Sequence, residues 1–200
     1  MIEVMHNGAR REAPEAVFFP FDTFNVPLHA GVEVELVTAI KRVRPVLAKG
    51  EVGAADEHNL RFYGSVIEID GQYHIWYLGG GGPEERWVGD FPAWCPKGIC
   101  HAVSADGVHW EKPNHELVEY NGNRHNNLVD LDCANVATCV VLHEPDDPDP
   151  NRRFKMVFES TKYQQRLAVA FSPDGLRWQE SKHNPVLPYG LEMSGVIRLG

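Results

Sequence analysis

The sequence predicts an all-β fold built from β-propeller blades, and three observations point to it. Short apolar runs, β-branched or aromatic and often alternating with polar residues, are separated by glycines and prolines spread along the chain. A seven-residue motif occurs twice, and the same order of strand-like segments precedes each copy. A repeated unit of three or four strands is typical of blades. The predicted strands are residues 64–70, 72–78, 99–104, 137–144, 153–160 and 166–172.

The repeated motif, Ser-x-Asp-Gly-x-x-Trp, lies at residues 104–110 and 172–178. Asp-Gly favours a tight turn with positive φ, and the Ser and Asp side chains can accept hydrogen bonds from nearby backbone amides. Trp110 and Trp178 follow the turns at a position suited to covering the next strand. We therefore expect the motif to lock hairpins and to contribute to packing between strands.

The repeats divide the chain into an extension and successive blades. Residues 184–187 followed by 194–200 resemble residues 44–47 followed by 64–70, so a third unit begins near the end of the sequence. We predict that the N-terminal extension packs on the propeller. The predicted divisions are 1–43 for the extension, 44–120 for the first blade, 121–183 for the second and 184–200 for the start of the third.

The number of predicted blades decides whether this chain can form a closed propeller by itself. A propeller typically has at least about four blades, which leave only short, protected edges. Two blades and one further strand cannot close in this way. We expect the sequence to be the first part of a longer gene product; the alternative is that another chain supplies the missing blades.

The composition excludes several classes of function. Of 200 residues, 43% are hydrophobic and 24% are charged, which fits a folded chain with one sizeable core. The net charge of -9 leaves no basic face for nucleic acid or an anionic membrane. No apolar run approaches the roughly 18 residues of a membrane span. We expect neither nucleic acid nor membrane as a partner, and the composition leaves the oligomeric state open.

Cysteine and histidine positions indicate neither a disulfide scaffold nor a metal site. The ten histidines show no ligand spacing, so no metal and no cofactor is expected. The N-terminus has no apolar core of a signal peptide. We expect a cytoplasmic location with reduced thiols at Cys95, Cys100, Cys133 and Cys139.

A family resemblance is carried by residues 44–79, RPVLAKGEVGAADEHNLRFYGSVIEIDGQYHIWYLG. The two Ser-x-Asp-Gly-x-x-Trp hairpins and the Asn-Pro-Val-Leu linker add to it. These segments resemble the five-bladed β-propeller glycoside hydrolases and their relatives, families 32, 43, 68 and 130. The resemblance extends from near residue 18 to residue 200. It implies an incomplete five-bladed propeller and a carbohydrate-active enzyme. The Trp-Met-Asn-Asp-Pro-Asn-Gly stretch of family 32 is missing, so the resemblance does not imply specificity for fructose.

The resemblance also implies catalytic roles for carboxylates that precede the first strand of each blade. Asp56 would be the nucleophile or base, Asp132 the transition-state stabiliser with Asp130 as its alternative, and Glu192 the general acid. Cleavage of a glycosidic bond needs one acid and one carboxylate at a defined separation. A third carboxylate can stabilise the oxocarbenium-like state and raise the pKa of the acid. The alternative for Asp56 is a solvated turn residue, and one of Asp130 and Asp132 is expected to be only a turn residue.

Polar and aromatic residues near these carboxylates are candidates for binding an oligosaccharide or glycoside. Polar side chains could bond sugar hydroxyls, and the two tryptophans of the long Gly-rich loop could stack on a sugar ring. Trp76 and Tyr77 are predicted to be core aromatics. A non-catalytic carbohydrate-binding propeller, a glycoside phosphorylase and an inactive truncated fragment are the alternative functions. The candidate binding residues are His58, Asn59, Arg61, Trp87, Trp94, His125 and Asn126.

Overall fold

The computed structural model describes the backbone of residues 2–6, 9–13, 38–80, 87–88, 91–92, 98–132, 136–189 and 195–197. Side chains are described for residues 12, 38–80, 98–132, 136–189 and 195–197. The strands in chain order are β1 (Ile2–His6), β2 (Ala9–Ala13), β3 (Leu60–Ile69), β4 (Gln72–Gly79), β5 (Trp87–Val88), β6 (Phe91–Pro92), β7 (Gly98–Ser104), β8 (Asp130–Leu131), β9 (Val136–His143), β10 (Phe154–Ser160), β11 (Arg166–Ser172) and β12 (Arg177–Glu180). The helical segments of these residues are two single 3-10 turns, Pro150–Arg152 and Thr161–Tyr163. The prediction of an all-β fold is confirmed.

The chain divides into two compact units, residues 1–43 and 44–200. In the first unit, β1 and β2 form an antiparallel hairpin in which Ile2 lies opposite Ala13 and His6 lies opposite Ala9. The predicted packing of this extension on the propeller stays a prediction.

The first sheet of the second unit has the strand order β3-β4-β7 and is antiparallel throughout. Asp70 and Gly71 form the turn between β3 and β4, both with positive φ (52° and 80°), as the Asp-Gly sequence predicts. After β7, the chain returns so that Glu111 pairs with Val103 as an isolated bridge. The short pair β5–β6 lies within the long connection from β4 to β7.

The second sheet is a four-stranded antiparallel meander, β9 to β12, with β8 added beside its last strand. β8 runs parallel to β12, and Asp130 lies opposite Arg177. A four-stranded meander is the architecture of a propeller blade, so the prediction of blade-like units is confirmed. Among residues 184–189 and 195–197, which are the described part of the third unit, there is no strand.

The first copy of the repeated motif forms the hairpin lock that its sequence predicts. Ser104 Oγ accepts hydrogen bonds from the Asp106 and Gly107 amides at 3.3 and 2.9 Å. Asp106 Oδ1 accepts from the Val108 and His109 amides at 2.8 and 2.7 Å. The Trp110 indole donates to the Gly107 carbonyl at 3.1 Å. These bonds satisfy the polar groups of the turn locally, which is how such turns are stabilised.

The second copy repeats this geometry and also joins the two sheets. Ser172 and Asp174 accept the corresponding amide bonds, and Trp178 donates to the Gly175 carbonyl at 2.9 Å. The same carbonyl accepts from the indole of Trp76, a residue of β4, at 2.8 Å. The second hairpin is therefore bonded to the first sheet.

Most of the apolar core lies where the two sheets pack together. Strands β9 and β3 are also joined by a hydrogen bond, in which the Val141 amide donates to Ser65 Oγ at 2.8 Å. A second, smaller cluster of buried side chains, including Ile75, Tyr77 and Cys100, covers the other face of the first sheet and supports the loop before β3. The buried residues of the main core are Trp76, Leu78, Ile99, Val129, Val136, Cys139, Val141, Phe154, Met156, Phe158, Ala168, Ala170 and Trp178.

Candidate functional site

A fully buried carboxylate, Asp56, lies in the loop before β3. The loop is stabilised by backbone bonds from Ala54 to Glu51 and from Glu57 to Ala54, at 2.9 and 3.2 Å. Asp56 is 0% exposed. Burying a carboxylate is costly unless hydrogen bonds and an opposite charge compensate it, so its surroundings must supply donors.

Three donors meet the Asp56 carboxylate, two of them on one oxygen. Oδ1 accepts from the Gly50 amide at 3.1 Å. Oδ2 accepts from the Tyr77 hydroxyl at 2.8 Å and from Lys112 Nζ at 2.5 Å. Hydrogen bonds to a charged partner are the stronger kind. The loop, β4 and the segment after β7 are therefore connected through one side chain.

Close packing around Asp56 requires glycine at two positions. A Cβ atom on Gly50 would lie 2.4 Å from both Ala54 Cβ and Asp56 Oδ1. A Cβ atom on Gly79 would lie 2.4 Å from Cys100 Sγ and 3.1 Å from Asp56 Cβ. Since neither position has room for a side chain, both glycines are fixed by their neighbours rather than by backbone conformation.

A second layer of bonds orients the Tyr77 hydroxyl. Asn127 Nδ2 donates to Tyr77 Oη and to the His101 carbonyl, each at 2.8 Å. Burial, with the neighbouring Cys100 and Asp56, raises the pKa of Tyr77. Tyr77 is therefore neutral at physiological pH, and its proton stays available to Asp56. Tyr77 is a core residue, as predicted, whose hydroxyl also belongs to the site.

Lys112 is the point at which this network meets solvent. Its side chain is 25% exposed, against 1% for the side chain of Asp56. Its Nζ also donates to the Ala48 carbonyl at 2.7 Å. The positive charge thus lies between the buried carboxylate and the outside.

A polar cleft of about 180 Å³ opens beside the Asp56–Lys112 pair. One wall is a small bonded group in which Asn114 Oδ1 accepts from the Asn126 amide at 3.1 Å and Asn114 Nδ2 lies 2.9 Å from His125 Nδ1. Amide, imidazole and ammonium groups together offer both donors and acceptors. The residues that line the cleft are Ala54, Ala55, Asp56, Lys112, Asn114, His125, Asn126 and Asn127.

Three of the predicted site residues, Asp56, His125 and Asn126, come together in this cleft. The predicted binding residues His58, Asn59 and Arg61 do not line it, although they follow Asp56 in the sequence. His58 is exposed, and its carbonyl accepts from Lys49 Nζ at 2.8 Å. The roles of all these residues stay predictions.

The two candidate stabilisers lie at the edge of the second sheet. Asp130 is exposed in β8, where its amide donates to the Leu176 carbonyl at 2.8 Å. The Asp132 side chain is fully exposed and lies 4.0 Å from Lys162 Nζ. Glu192 and Trp94 lie outside the described residues, and Trp87 lies outside those whose side chains are described.

The site contains residues that sequence reasoning missed: Lys112, Asn114 and Asn127, and the hydroxyl of Tyr77. A comparison of the two repeats could have singled out Lys112. Two residues after the motif tryptophan, the first repeat has Lys112 and the second has Glu180. The two positions are paired differently, since Glu180 accepts from Lys162 Nζ at 2.8 Å whereas Lys112 donates to Asp56.

In the part of the chain that the structure describes, no group of three or more His, Cys, Asp or Glu side chains could hold a metal ion. No helix in that part is long and apolar enough to span a membrane.

Comparisons with known proteins find similarity of structure. No family model matches the sequence, and no curated protein matches it. A glycoside hydrolase family 43 β-1,3-galactosidase, in complex with galactodeoxynojirimycin, matches with 17% identity and a TM-score of 0.39 over 68% of this chain and 37% of the galactosidase. A fructofuranosidase from Schwanniomyces occidentalis, complexed with fructose, matches with 18% identity and a TM-score of 0.33 over 58% of this chain and 21% of the fructofuranosidase.

This chain thus spans less than half the length of either solved structure. The first of the two is a member of glycoside hydrolase family 43, one of the families that the sequence motifs resemble.

Proposed function

We propose that this chain is part of a carbohydrate-active enzyme that cleaves glycosidic bonds, and that the cleft beside Asp56 binds a sugar ring. The observation that carries the proposal is the chemistry of the cleft. It combines amide groups, an imidazole and a paired lysine and carboxylate around about 180 Å³. Sugar hydroxyls both donate and accept hydrogen bonds, and this set of neutral and internally paired groups offers partners for both.

Charge supports a neutral ligand over an anionic one. Lys112 is the cation that lines the cleft, and its charge is already paired with Asp56 at 2.5 Å. An incoming anion would have to compete with a buried carboxylate for that lysine. A polyol can instead accept from Lys112 or donate to the histidine and amides without separating the pair.

For Asp56 to act in catalysis, a substrate must be able to reach its carboxylate. The carboxylate is wholly buried, whereas the side chain of Lys112 is a quarter exposed. A substrate therefore reaches Oδ2 only when Lys112 Nζ moves away from it. In the proposed reaction Asp56 acts as nucleophile or base after that movement, Glu192 protonates the leaving oxygen, and Asp132 or Asp130 stabilises the positive charge.

Binding tests the proposal first. Calorimetric titration of the chain with a panel of monosaccharides and aryl glycosides should give saturable binding of at least one of them. Asn114→Ala and His125→Ala remove cleft groups that are partly or wholly exposed, so they should weaken binding without unfolding the chain. Asp146→Asn, at an exposed acidic residue outside the cleft, is the matched control. No binding to any sugar, or equal binding by all three variants, would refute the proposal.

A non-catalytic carbohydrate-binding function is the second candidate, and one observation favours it. The Asp56 carboxylate already accepts from Gly50, Tyr77 and Lys112, which is the pattern of a structural carboxylate. Sugar binding without release of the aryl group would favour this function. Release that requires inorganic phosphate would instead identify a phosphorylase.

A further inference from the structure

Three histidine rings form a hydrogen-bonded chain across the first sheet. His74 lies on β4, His101 on β7 and His115 in the segment after β7. His74 Nδ1 lies 3.0 Å from His101 Nε2, and His101 Nδ1 lies 3.1 Å from His115 Nε2. His101 is 3% exposed. Both nitrogens of the central ring are therefore engaged by neighbouring imidazoles.

Proton counting restricts how these rings can be protonated. Each nitrogen–nitrogen bond holds one proton, and a neutral imidazole carries one. Two bonds and three neutral rings leave one proton, which must sit on an outer nitrogen, either His74 Nε2 or His115 Nδ1. In either case all three rings share the same tautomer, because each donates in the same direction along the chain.

The same counting limits the charge that the three hydrogen-bonded rings can carry. One added proton occupies the second outer nitrogen, and both bonds survive. A second added proton has no outer nitrogen left, so it places two N–H groups against each other and breaks a bond. The three rings therefore form one unit with room for a single extra proton.

Burial favours the neutral state of the rings at pH 7, against the nearby carboxylates of Asp70 and Asp174, which favour the charged state. His74 stacks on Trp76 and has His143 and Asp70 as electrostatic neighbours. Asp174 and Arg177 face His115 from the second hairpin. Burial lowers the pKa of His74 and of His115. Burial, with the two neighbouring histidines, lowers the pKa of His101 to about 3.

The histidine chain is bonded directly to one wall of the cleft. The His101 amide donates to the Asn127 carbonyl at 2.9 Å, and the Asn127 side chain donates back to the His101 carbonyl at 2.8 Å. The His115 amide donates to the Asn126 carbonyl at 2.9 Å. Asn127 in turn orients the Tyr77 hydroxyl. A change in ring positions would reach the cleft through these bonds.

We propose that His74, His101 and His115 act as a proton-coupled latch. It holds Asn126 and Asn127 in place at neutral pH and releases them when the three rings take up a second proton. This regulation rests on the cleft being the functional site proposed above. The latch itself depends only on the hydrogen bonds, so it can be tested without any sugar.

The direct test follows the full chain, labelled with ¹⁵N, by NMR from about pH 8 to about pH 4. At the upper end the three rings should show the same tautomer. The Asn127 side-chain amide signals should persist through the first proton uptake and be lost with the second. Unlike tautomers at neutral pH, or an unchanged Asn127 signal after two protons are bound, would overturn the proposal. Since the observed group is Asn127, the result does not depend on whether the cleft binds sugar.

A variant gives an independent readout. His115→Leu leaves only two rings, and a second proton must then enter a pair that contains the buried His101. Loss of the Asn127 signals should therefore move to lower pH than in the wild type. His183→Leu, at an exposed histidine outside the chain of rings, should behave as the wild type does. Loss at the same pH in wild type and His115→Leu would contradict the latch.

Discussion

The Tyr77 hydroxyl donates to Asp56 Oδ2 at 2.8 Å, and neither residue is exposed to solvent. The two residues come from different elements, the loop before β3 and strand β4. This bond is the centre of a network in which Lys112 supplies the charge and Asn127 fixes the hydroxyl. The contribution of each of these residues to the free energy of unfolding can be measured by substitution.

Tyr77→Phe should destabilise the chain. The substitution removes one donor from a buried carboxylate and leaves the Asn127 amide with the His101 carbonyl as its remaining partner. Leaving buried polar groups unsatisfied costs about 1–3 kcal/mol each. Chemical denaturation should show a loss in that range. Tyr73→Phe, at a partly exposed tyrosine of the same strand, is the control, and an equal effect of both would show that the bond contributes nothing specific.

Lys112→Met should cost about 3 kcal/mol of unfolding free energy, because removing one partner of a buried ion pair leaves the other charge uncompensated. The quarter-exposed lysine places the value at the lower end of what such pairs show. Adding Asp56→Asn to this variant should destabilise the chain less than the sum of the two single changes. Lys182→Met, at an exposed lysine, controls for loss of a surface charge. Strict additivity would mean that Asp56 and Lys112 are not coupled.

The two motif glycines provide a matched pair of substitutions. Gly107 and Gly175 both have positive φ, 71° and 75°, so alanine should cost about 1 kcal/mol at each. At Gly175 the new Cβ would also lie 2.9 Å from the Trp76 ring, whereas at Gly107 the nearest atom is 3.8 Å away. Gly175→Ala should therefore lower the melting temperature further than Gly107→Ala. The reverse order would be inconsistent with the packing of the second hairpin on Trp76.

Stability should fall as the pH drops below about 6.5. His101 stays neutral in the folded chain down to about pH 3, while its ordinary pKa is 6.5. Between these values the unfolded state binds the proton and the folded state does not, so unfolding becomes more favourable by about 1.4 kcal/mol per pH unit for each such histidine. Asp106, whose pKa the His109 amide and side chain lower, contributes only below its ordinary value of 3.8.

Melting temperatures measured between pH 7 and 4 check this dependence. His115→Gln should reduce the slope, since burial lowers the pKa of His115 as well. His183→Gln should leave the slope unchanged. A flat profile across this interval in the wild type would contradict neutral buried histidines.

Six strands of the two sheets were predictable because each carries a local pattern: β3, β4, β7, β9, β10 and β11. The segments 72–78 and 166–172 alternate or run apolar between turn residues, and they became β4 and β11 with ends shifted by one residue or less. The two-residue strand β8 was not predictable, since it forms only by pairing with β12. Local pattern contains no information about that partner.

The site was predictable only in part, for the same reason. Asp56 was singled out by the family resemblance as a carboxylate before the first strand of a blade, and His125 and Asn126 as polar residues near the candidate carboxylates. Lys112 meets Asp56 from 56 positions further along the chain. The comparison of the two repeats can single out Lys112, but it does not identify Asp56 as the partner. Tyr77 has the sequence environment of a core aromatic, and its burial agrees with it. That its hydroxyl contacts a carboxylate follows from the tertiary structure alone.

The central claim, that the cleft beside Asp56 binds a sugar, is tested most directly by following side-chain amide resonances during titration with aryl glycosides. Asn114, Asn126 and Asn127 line the cleft. Their side-chain amide signals should shift together and saturate. Asn151, an exposed asparagine of the 3-10 turn after β9, should not shift. Shifts confined to residues outside the cleft, or no shifts with any glycoside, would contradict the claim.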